Sequence, residues 1–200
     1  FRSRNFEKIS NHRCFPAQFL CGAVMESNLM HRFFIPPEKL KAKDLLLSGD
    51  EWRHSQTVLR SKKGDRLTVF DGNGNECLAL IEETTKQNAR LRVISHQATP
   101  PPPLSITLIQ ALPKNKSMDW IIQKATELGV REIHPVFSER SVVRVSSDEA
   151  KSKTERWHQI SLESAKQCGL NWLPNISPIR TIKEALALRS RYTMAFIGSL

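Results

Sequence analysis

The stretch PPPPLSITLIQAL at residues 100–112 decides how this chain is organised. Four consecutive prolines, Pro100 to Pro103, cannot join a helix or a central strand and act as a stiff spacer. The apolar run from Leu104 to Leu112 that follows is typical of a strand buried on both faces in a parallel sheet. The stretch therefore predicts a proline linker over residues 100–103 and a second domain that begins at Leu104.

Strands and helices alternate after this stretch. A helix begins near Met118 and ends at Gly129, where glycine suits a left-handed cap. Later helices are expected to begin at the capping boxes Ser146-x-x-Glu149 and Thr181-x-x-Glu184. Further strands are predicted at residues 133–145, 176–179 and 192–200. This alternation predicts an α/β domain over 104–200 with a mainly parallel sheet, and its final apolar strand predicts a sheet that continues beyond Leu200.

The chain before the prolines has the pattern of a small β-barrel over residues 30–99. Short strands are predicted at residues 31–36, 66–71, 75–84 and 89–96, and Gly72-Asn73-Gly74 supplies the turn of a hairpin. The capping box Ser48-x-x-Glu51 predicts a short helix that ends near Arg60. Residues 1–29 are expected to form an extension outside the fold, with Met30 as the natural start.

Composition narrows the class of protein. The chain has 200 residues, with 30 Lys and Arg against 20 Asp and Glu, which gives a net charge of +10. A protein this basic attracts polyanions, so nucleic acid is the first partner to consider. The alternative is that the excess of basic residues serves only to keep the protein soluble. The four cysteines have no C-x-x-C pair and no His at metal-ligand spacing, so we expect no metal site and a reducing, cytoplasmic compartment. No apolar run reaches the roughly 18 residues of a membrane span.

Candidate ligand-binding residues follow the predicted parallel strands, because such sheets bind ligands at the carboxyl ends of their strands. Lys114 and Lys116 precede a helix, where they could hold a phosphate with that helix's free N–H groups, or could simply be solvated loop lysines. Glu139 and Arg140 follow the next strand and point to opposite faces, so one of them could line a site while the other braces the fold.

Two helices and the barrel supply the remaining candidates. Glu163 and Gln167 share one helical face, which could serve a site or pack within the domain, and Lys124 lies on what is usually an outer face. In the barrel, Arg32, His54 and Arg60 could face a phosphate backbone, although a lone histidine is more often structural.

Several enzyme classes lack their motifs in this sequence. It contains no G-x-G-x-x-G, P-loop, G-x-S-x-G or H-E-x-x-H pattern. The sequence therefore gives no support for hydride transfer, nucleoside triphosphate hydrolysis or hydrolysis by a catalytic triad. A hydrolase or nucleotide enzyme on a doubly wound sheet is kept only as a third hypothesis, because its motifs are absent.

An ordered set of motifs from Met30 onward resembles one family, the ribosomal RNA small subunit methyltransferase E group of knotted SPOUT enzymes. The motifs are Met30-His31-Arg32-Phe33-Phe34, His54 with Val58-Leu59-Arg60, Gly64-Asp65, Phe70-Asp71-Gly72, Gln110-Ala111-Leu112-Pro113-Lys114, Gln123-Lys124-Ala125-Thr126-Glu127-Leu128-Gly129-Val130, Pro135 with Ser138-Glu139-Arg140-Ser141, and Ser164-Ala165-Lys166-Gln167-Cys168-Gly169. After the last glycine the family usually has an arginine, where this chain has Leu170.

The resemblance implies a PUA-like RNA-binding barrel followed by part of a trefoil-knot SPOUT domain that dimerises. The implied reaction is methylation of uridine N3 in 16S ribosomal RNA of the small ribosomal subunit with S-adenosyl-L-methionine, whose site is expected mostly beyond Leu200, so the chain alone is expected to be inactive. The alternative is a non-catalytic RNA-binding module. We assign RNA binding to Arg32, His54, Arg60, Lys114, Lys116 and Lys124, and name Glu139, Arg140, Glu163 and Gln167 as catalytic candidates.

Overall fold

The computed structural model describes residues 31–40, 45–114, 117–137 and 146–198. Two sheets are present there. The first ends at Ala98 and the second begins at Thr107, on either side of the proline run.

The first sheet is a curled half-barrel. Its elements in chain order are β1 (Arg32–Phe34), α1 (Pro37–Leu40), β2 (Leu45–Ser48), α2 (Gly49–His54), a π-helical turn (Ser55–Leu59), β3 (Arg66–Phe70), β4 (Asn75–Thr84) and β5 (Asn88–Ala98). The strands lie in the order β1-β3-β4-β5-β2, with β1 parallel to β3 and the other neighbours antiparallel. The predicted barrel is confirmed in this form.

Alternation along the strands builds the core of the half-barrel. Cys77, Ala79 and Ile81 point to one face of β4 and are fully buried. Trp52 of α2 covers this face, and its indole N–H donates to the Thr85 carbonyl at 3.1 Å. The indole therefore contributes apolar area to the core without leaving a buried donor unpaired.

The second sheet is parallel throughout its described part. Its elements are β6 (Thr107–Ala111), α3 (Ser117–Glu127), β7 (Glu132–Phe137), α4 (Ser147–Cys168), β8 (Asn175–Ile176), β9 (Arg180–Thr181), α5 (Ile182–Leu186) and a 3₁₀ turn (Arg189–Arg191). β7 is central, with β6 on one side and β8 and β9 on the other. The predicted mainly parallel sheet is confirmed.

The predicted turn and cap positions are largely confirmed. Gly72 and Gly74 have φ of +74° and +92° in the hairpin turn, and Gly129 has φ of +77° after α3. Thr181 forms a complete capping box with Glu184, and the Ser146 hydroxyl accepts a hydrogen bond from the Glu149 N–H. These residues act locally, so local sequence was sufficient to predict them.

The capping box predicted at Ser48 is wrong. The Ser48 side chain makes no capping hydrogen bond. The α-helix ends at His54 and is followed by the π-helical turn Ser55–Leu59, after which Arg60 has φ of +54°. Glu51, the expected partner of Ser48, is instead engaged by residues distant in sequence. A long-range charge contact therefore replaces the local one.

The strand expected at 192–200 is also wrong for the residues that the structure describes. Residues 192–198 form no strand, and Met194, Phe196 and Ile197 are exposed. No described strand lies beside this segment, and an apolar strand without a neighbour leaves its backbone groups unpaired. The strand predicted at 133–145 is observed as far as Phe137, and its remainder lies outside the described residues.

Candidate functional site

The half-barrel contacts the amino edge of the parallel sheet. Helices α3 and α4 run antiparallel to the strands they connect, so both end at this edge. The segment 170–173 follows α4 there, and Arg131, just before β7, places its guanidinium 4.3 Å from the Trp172 ring centroid. We call this contact between the half-barrel and the segment 170–173 the junction.

Residues 171–173 dock on the hairpin turn of the half-barrel. The Gly74 N–H donates to the Asn171 carbonyl at 2.8 Å, and the Leu173 N–H donates to the Gly72 carbonyl at 2.9 Å. A Cβ on Gly74 would lie 2.5 Å from Trp172 Cζ2, so only glycine permits this approach. Sequence reasoning predicted the turn but missed the docking, although two glycines within three residues were a signal that it left unused.

Arg32 lies inside the junction. Its guanidinium forms an ion pair with Glu76 at 2.8 Å, donates to Asn171 Oδ1 at 2.5 Å and lies over the Phe70 ring at 4.9 Å. Only 16% of the Arg32 side chain is exposed. Its predicted contact with RNA stays a prediction, and that contact would have to compete with these partners.

Lys166 joins α4 to α2. Its ammonium forms ion pairs with Glu51 of α2 and, at 2.9 Å, with Glu163 of α4, and its side chain is only 12% exposed. Glu163 is half exposed and Gln167 is exposed. His54, one turn after Glu51, is also exposed. The structure thus brings the predicted residue Glu163 close to the half-barrel through Lys166, whereas Gln167 is exposed on the same helix.

Glu127, the last residue of α3, is hydrogen-bonded to two residues of its own helix. Glu127 accepts hydrogen bonds from Lys124 at 2.7 Å and Gln123 at 2.9 Å, and these bonds, that from Lys124 first, lower the pKa of the Glu127 carboxyl. Partial burial raises the pKa of the Cys168 thiol, on which the charges of Glu127 and Arg32 also act. Helix α4 thus packs against α3 on one side and contacts β1 near its end.

Lys114 is the described candidate that lies at the edge of the parallel sheet opposite the junction. Lys114 follows β6 at the carboxyl edge, where the Leu112 N–H donates to the Val136 carbonyl at 2.9 Å, and it is exposed. Arg60 is exposed on the half-barrel. Lys116, Glu139 and Arg140 lie outside the described residues.

Among the residues that the structure describes, no group of three His, Cys, Asp or Glu side chains could hold a metal ion. None of the described helices is long and apolar enough to cross a membrane.

Comparison with known families gives two matches that divide the chain at the proline run. The family described as an RNA methyltransferase domain matches residues 100–199. The family described as an RNA methyltransferase PUA domain matches residues 47–94.

Curated relatives agree with these matches. A ribosomal RNA small subunit methyltransferase E from Bacillus subtilis is 30% identical over 78% of this chain and 63% of its own length. The protein of that name from Synechocystis is 33% identical over 74% of this chain and 48% of its own length. The chain therefore spans about half to two thirds of these two relatives.

Solved structures have the same fold. A ribosomal RNA small subunit methyltransferase E from Neisseria gonorrhoeae bound to S-adenosyl methionine is 35% identical with a TM-score of 0.71, covering 78% of this chain and 65% of that one. A putative methyltransferase from Legionella pneumophila in complex with the same cofactor is 32% identical with a TM-score of 0.68, covering 76% of this chain and 63% of that one.

Proposed function

This chain belongs to the RNA methyltransferase family matched by residues 100–199, and on that premise we propose that the protein methylates RNA of the small ribosomal subunit. The acceptor that we propose is N3 of a uridine in 16S ribosomal RNA, and the methyl donor is S-adenosylmethionine. The observation that carries the proposal is the pairing of the methyltransferase match with a PUA match in one chain. The names and bound cofactor of the related structures support it.

The proposed reaction forms one bond and breaks another. The donor supplies an electrophilic methyl group on a sulfonium. N3 of uridine provides the electron pair for the new N–CH₃ bond, the S–CH₃ electrons stay on sulfur in S-adenosylhomocysteine, and the N3 proton passes to a base. The protein's task is therefore to unstack the base, align it and take one proton.

Lys114 and Gln110 are two described residues at the carboxyl edge, where parallel sheets bind ligands. Lys114 is exposed there, and the Gln110 amide donates to the carbonyl of Ala111 at 2.8 Å. Neither residue encloses a group of the size of the methyl donor. We therefore propose that the donor site uses residues outside the described part of the chain, and we assign the donor to none of the described side chains.

RNA binding is proposed for the exposed basic residues. Arg60 and His54 are exposed on the half-barrel, as are the neighbouring Lys62, Lys63 and Arg66. Flexible cations of this kind suit phosphate contacts, which position RNA without reading its sequence. Lys114 could extend this contact at the far edge, whereas Lys124 is already paired with Glu127.

Only two of the catalytic candidates could accept the N3 proton. Arginine stays protonated in proteins and an amide is a poor base, so Arg140 and Gln167 could orient the base but not deprotonate it. Glu139 follows Phe137, the last residue of β7, by two positions in the sequence, and parallel sheets bind ligands beyond the carboxyl ends of their strands. Glu163 lies near the end of α4 at the junction. We propose Glu139 as the proton acceptor, with Glu163 as the alternative.

A methyl-incorporation assay tests the proposed activity. The full-length protein is incubated with small ribosomal subunits and radiolabelled S-adenosylmethionine, and label in RNA is counted beside direct RNA binding. We expect label in the small-subunit RNA and none in large-subunit RNA. RNA binding without label would support the alternative, a non-catalytic RNA-binding module. We further propose a homodimer acting in the cytoplasm, which light scattering and fractionation would test.

A further inference from the structure

Two sets of contacts hold the half-barrel at the junction. The first is the docking of residues 171–173 on the turn formed by Gly72, Asn73 and Gly74, next to Arg32. The second is the ion pair between Glu51 and Lys166. The two contacts are neighbours, because Glu51 bonds Phe34, two residues after Arg32, and Lys166 precedes Leu170 by four residues. Together they restrict rotation of the half-barrel more than either contact would alone.

In the first contact, Arg32 bonds to residues of both the half-barrel and the second domain. Glu76 of the half-barrel and Asn171 of the other domain hold its guanidinium, which also donates to the Leu170 carbonyl at 3.4 Å. Asn171 in turn donates to the Thr99 hydroxyl at 2.9 Å. A planar guanidinium with a fork of donors suits a joint between two surfaces, because it bonds in several fixed directions at once.

Lys166 completes the second contact. Two carboxylates, Glu51 and Glu163, flank one ammonium that is 12% exposed. The other oxygen of Glu51 accepts the Phe34 N–H of β1 at 3.4 Å, so the same carboxylate connects α2, β1 and α4. Loss of the ammonium would leave the two carboxylates close together without their shared counter-ion, with Glu51 18% and Glu163 51% exposed.

We propose that Arg32 with Asn171, and Lys166 with Glu51, form a latch that sets the angle between the half-barrel and the methyltransferase domain. RNA held by the half-barrel then presents its target base to the methyl-transfer site in one orientation. Arg32 and Lys166 are positioning residues in this scheme and need not touch RNA. The proposal rests on the proposed function for its catalytic consequence, but the latch itself can be tested without catalysis.

Amide hydrogen exchange measures the latch directly in the present chain. The N–H groups of Gly74 and Leu173 donate across the junction, so they report its opening. We expect Arg32→Gln to speed exchange of these two amides by at least about tenfold, while core amides such as Ile81 and Ile122 keep their protection. Lys166→Gln provides a second variant if Arg32→Gln does not fold. Arg60→Gln is the charge-matched control and should leave both junction amides unchanged.

Kinetics of the full-length protein separate positioning from RNA contact. A latch predicts that Arg32→Gln and Lys166→Gln keep the Kd for small-subunit RNA within about twofold while kcat at saturating RNA falls about 10- to 100-fold. Unchanged junction exchange in both variants would overturn the latch, as would full turnover despite faster exchange. A weakened Kd with normal kcat would make Arg32 an RNA contact. If the wild-type protein transfers no methyl group, the proposed function fails, and hydrogen exchange still decides on the latch.

Discussion

The backbone of Gly74 approaches the indole of Trp172 so closely that a Cβ at position 74 would lie 2.5 Å from Cζ2. The same Cβ would lie 2.7 Å from the Thr99 carbonyl oxygen. Trp172 is held in this place because its N–H donates to the carbonyls of Thr99 and Pro100, each at 3.1 Å. A tight turn in the half-barrel thus forms a socket for a residue of the other domain.

Replacing Gly74 should therefore destabilise the protein beyond the strain of its backbone. We expect Gly74→Ala to lower the free energy of unfolding by about 1–2 kcal/mol for its left-handed φ and by about 1–3 kcal/mol more for the clashes with Trp172 and the Thr99 carbonyl oxygen. Gly64→Ala is a matched control, because Gly64 has φ of +93° against +92° and nothing lies within 4 Å of its added Cβ. Urea unfolding of both variants measures the difference, and equal losses would mean that the socket contributes nothing.

Two of the three capping boxes that the sequence predicts should respond differently when the capping residue is replaced by alanine. Thr181→Ala removes a hydroxyl that accepts the Glu184 N–H, and we expect it to lower stability by about 1 kcal/mol. Ser48→Ala should change stability by less than about 0.5 kcal/mol, because the Ser48 side chain caps nothing. Thermal unfolding of the pair checks this contrast, which an equal shift in Tm would contradict.

The buried thiol of Cys77 should make stability depend on pH in the alkaline range. Burial is the main cause that raises the Cys77 pKa from 9.0 to about 11, with smaller contributions from Asp71 and Glu76. Since the folded state keeps its proton longer than the unfolded state, the stabilisation is complete below pH 9 and is lost as pH rises to about 11. Between pH 8 and pH 10, wild type should lose about 1 kcal/mol more than Cys77→Ala in urea unfolding. Parallel losses would show that the thiol titrates normally.

Arg60 should contact RNA through a phosphate. Arg60→Gln is expected to weaken binding to small-subunit RNA and to reduce the slope of log K against log salt by about 1, because one fewer counterion is released. Lys183→Gln on α5 also removes one exposed charge and should leave the slope unchanged. Fluorescence anisotropy at several salt concentrations measures both variants, and identical slopes would remove Arg60 from the RNA-binding surface.

Local signals explain most of what the sequence predicted correctly. Gly129 and Thr181 cap the ends of helices through groups within one turn of the same helix. The hairpin turn was predictable because Gly72 and Gly74 readily adopt the positive φ that the turn requires. The failures depend on distant residues. Glu51 satisfies a capping-box pattern, yet it pairs with Lys166, 115 positions away.

In the candidate site too, local sequence predicts residue types, whereas the contacts depend on residues distant in sequence. Residue type and position singled out Arg32 as a basic side chain, but its neighbours Glu76 and Asn171 come from two different domains and could not be predicted from spacing. The apolar pattern around Phe196 likewise predicts a strand without showing whether another strand lies beside it.

Analysis of the methylated nucleoside tests the central claim most directly. The full-length protein is incubated with small ribosomal subunits that lack the modification, in the presence of S-adenosylmethionine with a deuterated methyl group. The 16S RNA is then digested to nucleosides for mass spectrometry. We predict N3-methyluridine that carries the deuterated methyl group. A deuterated methyl group on another base or another uridine atom, or none in the RNA at all, would contradict the proposed activity.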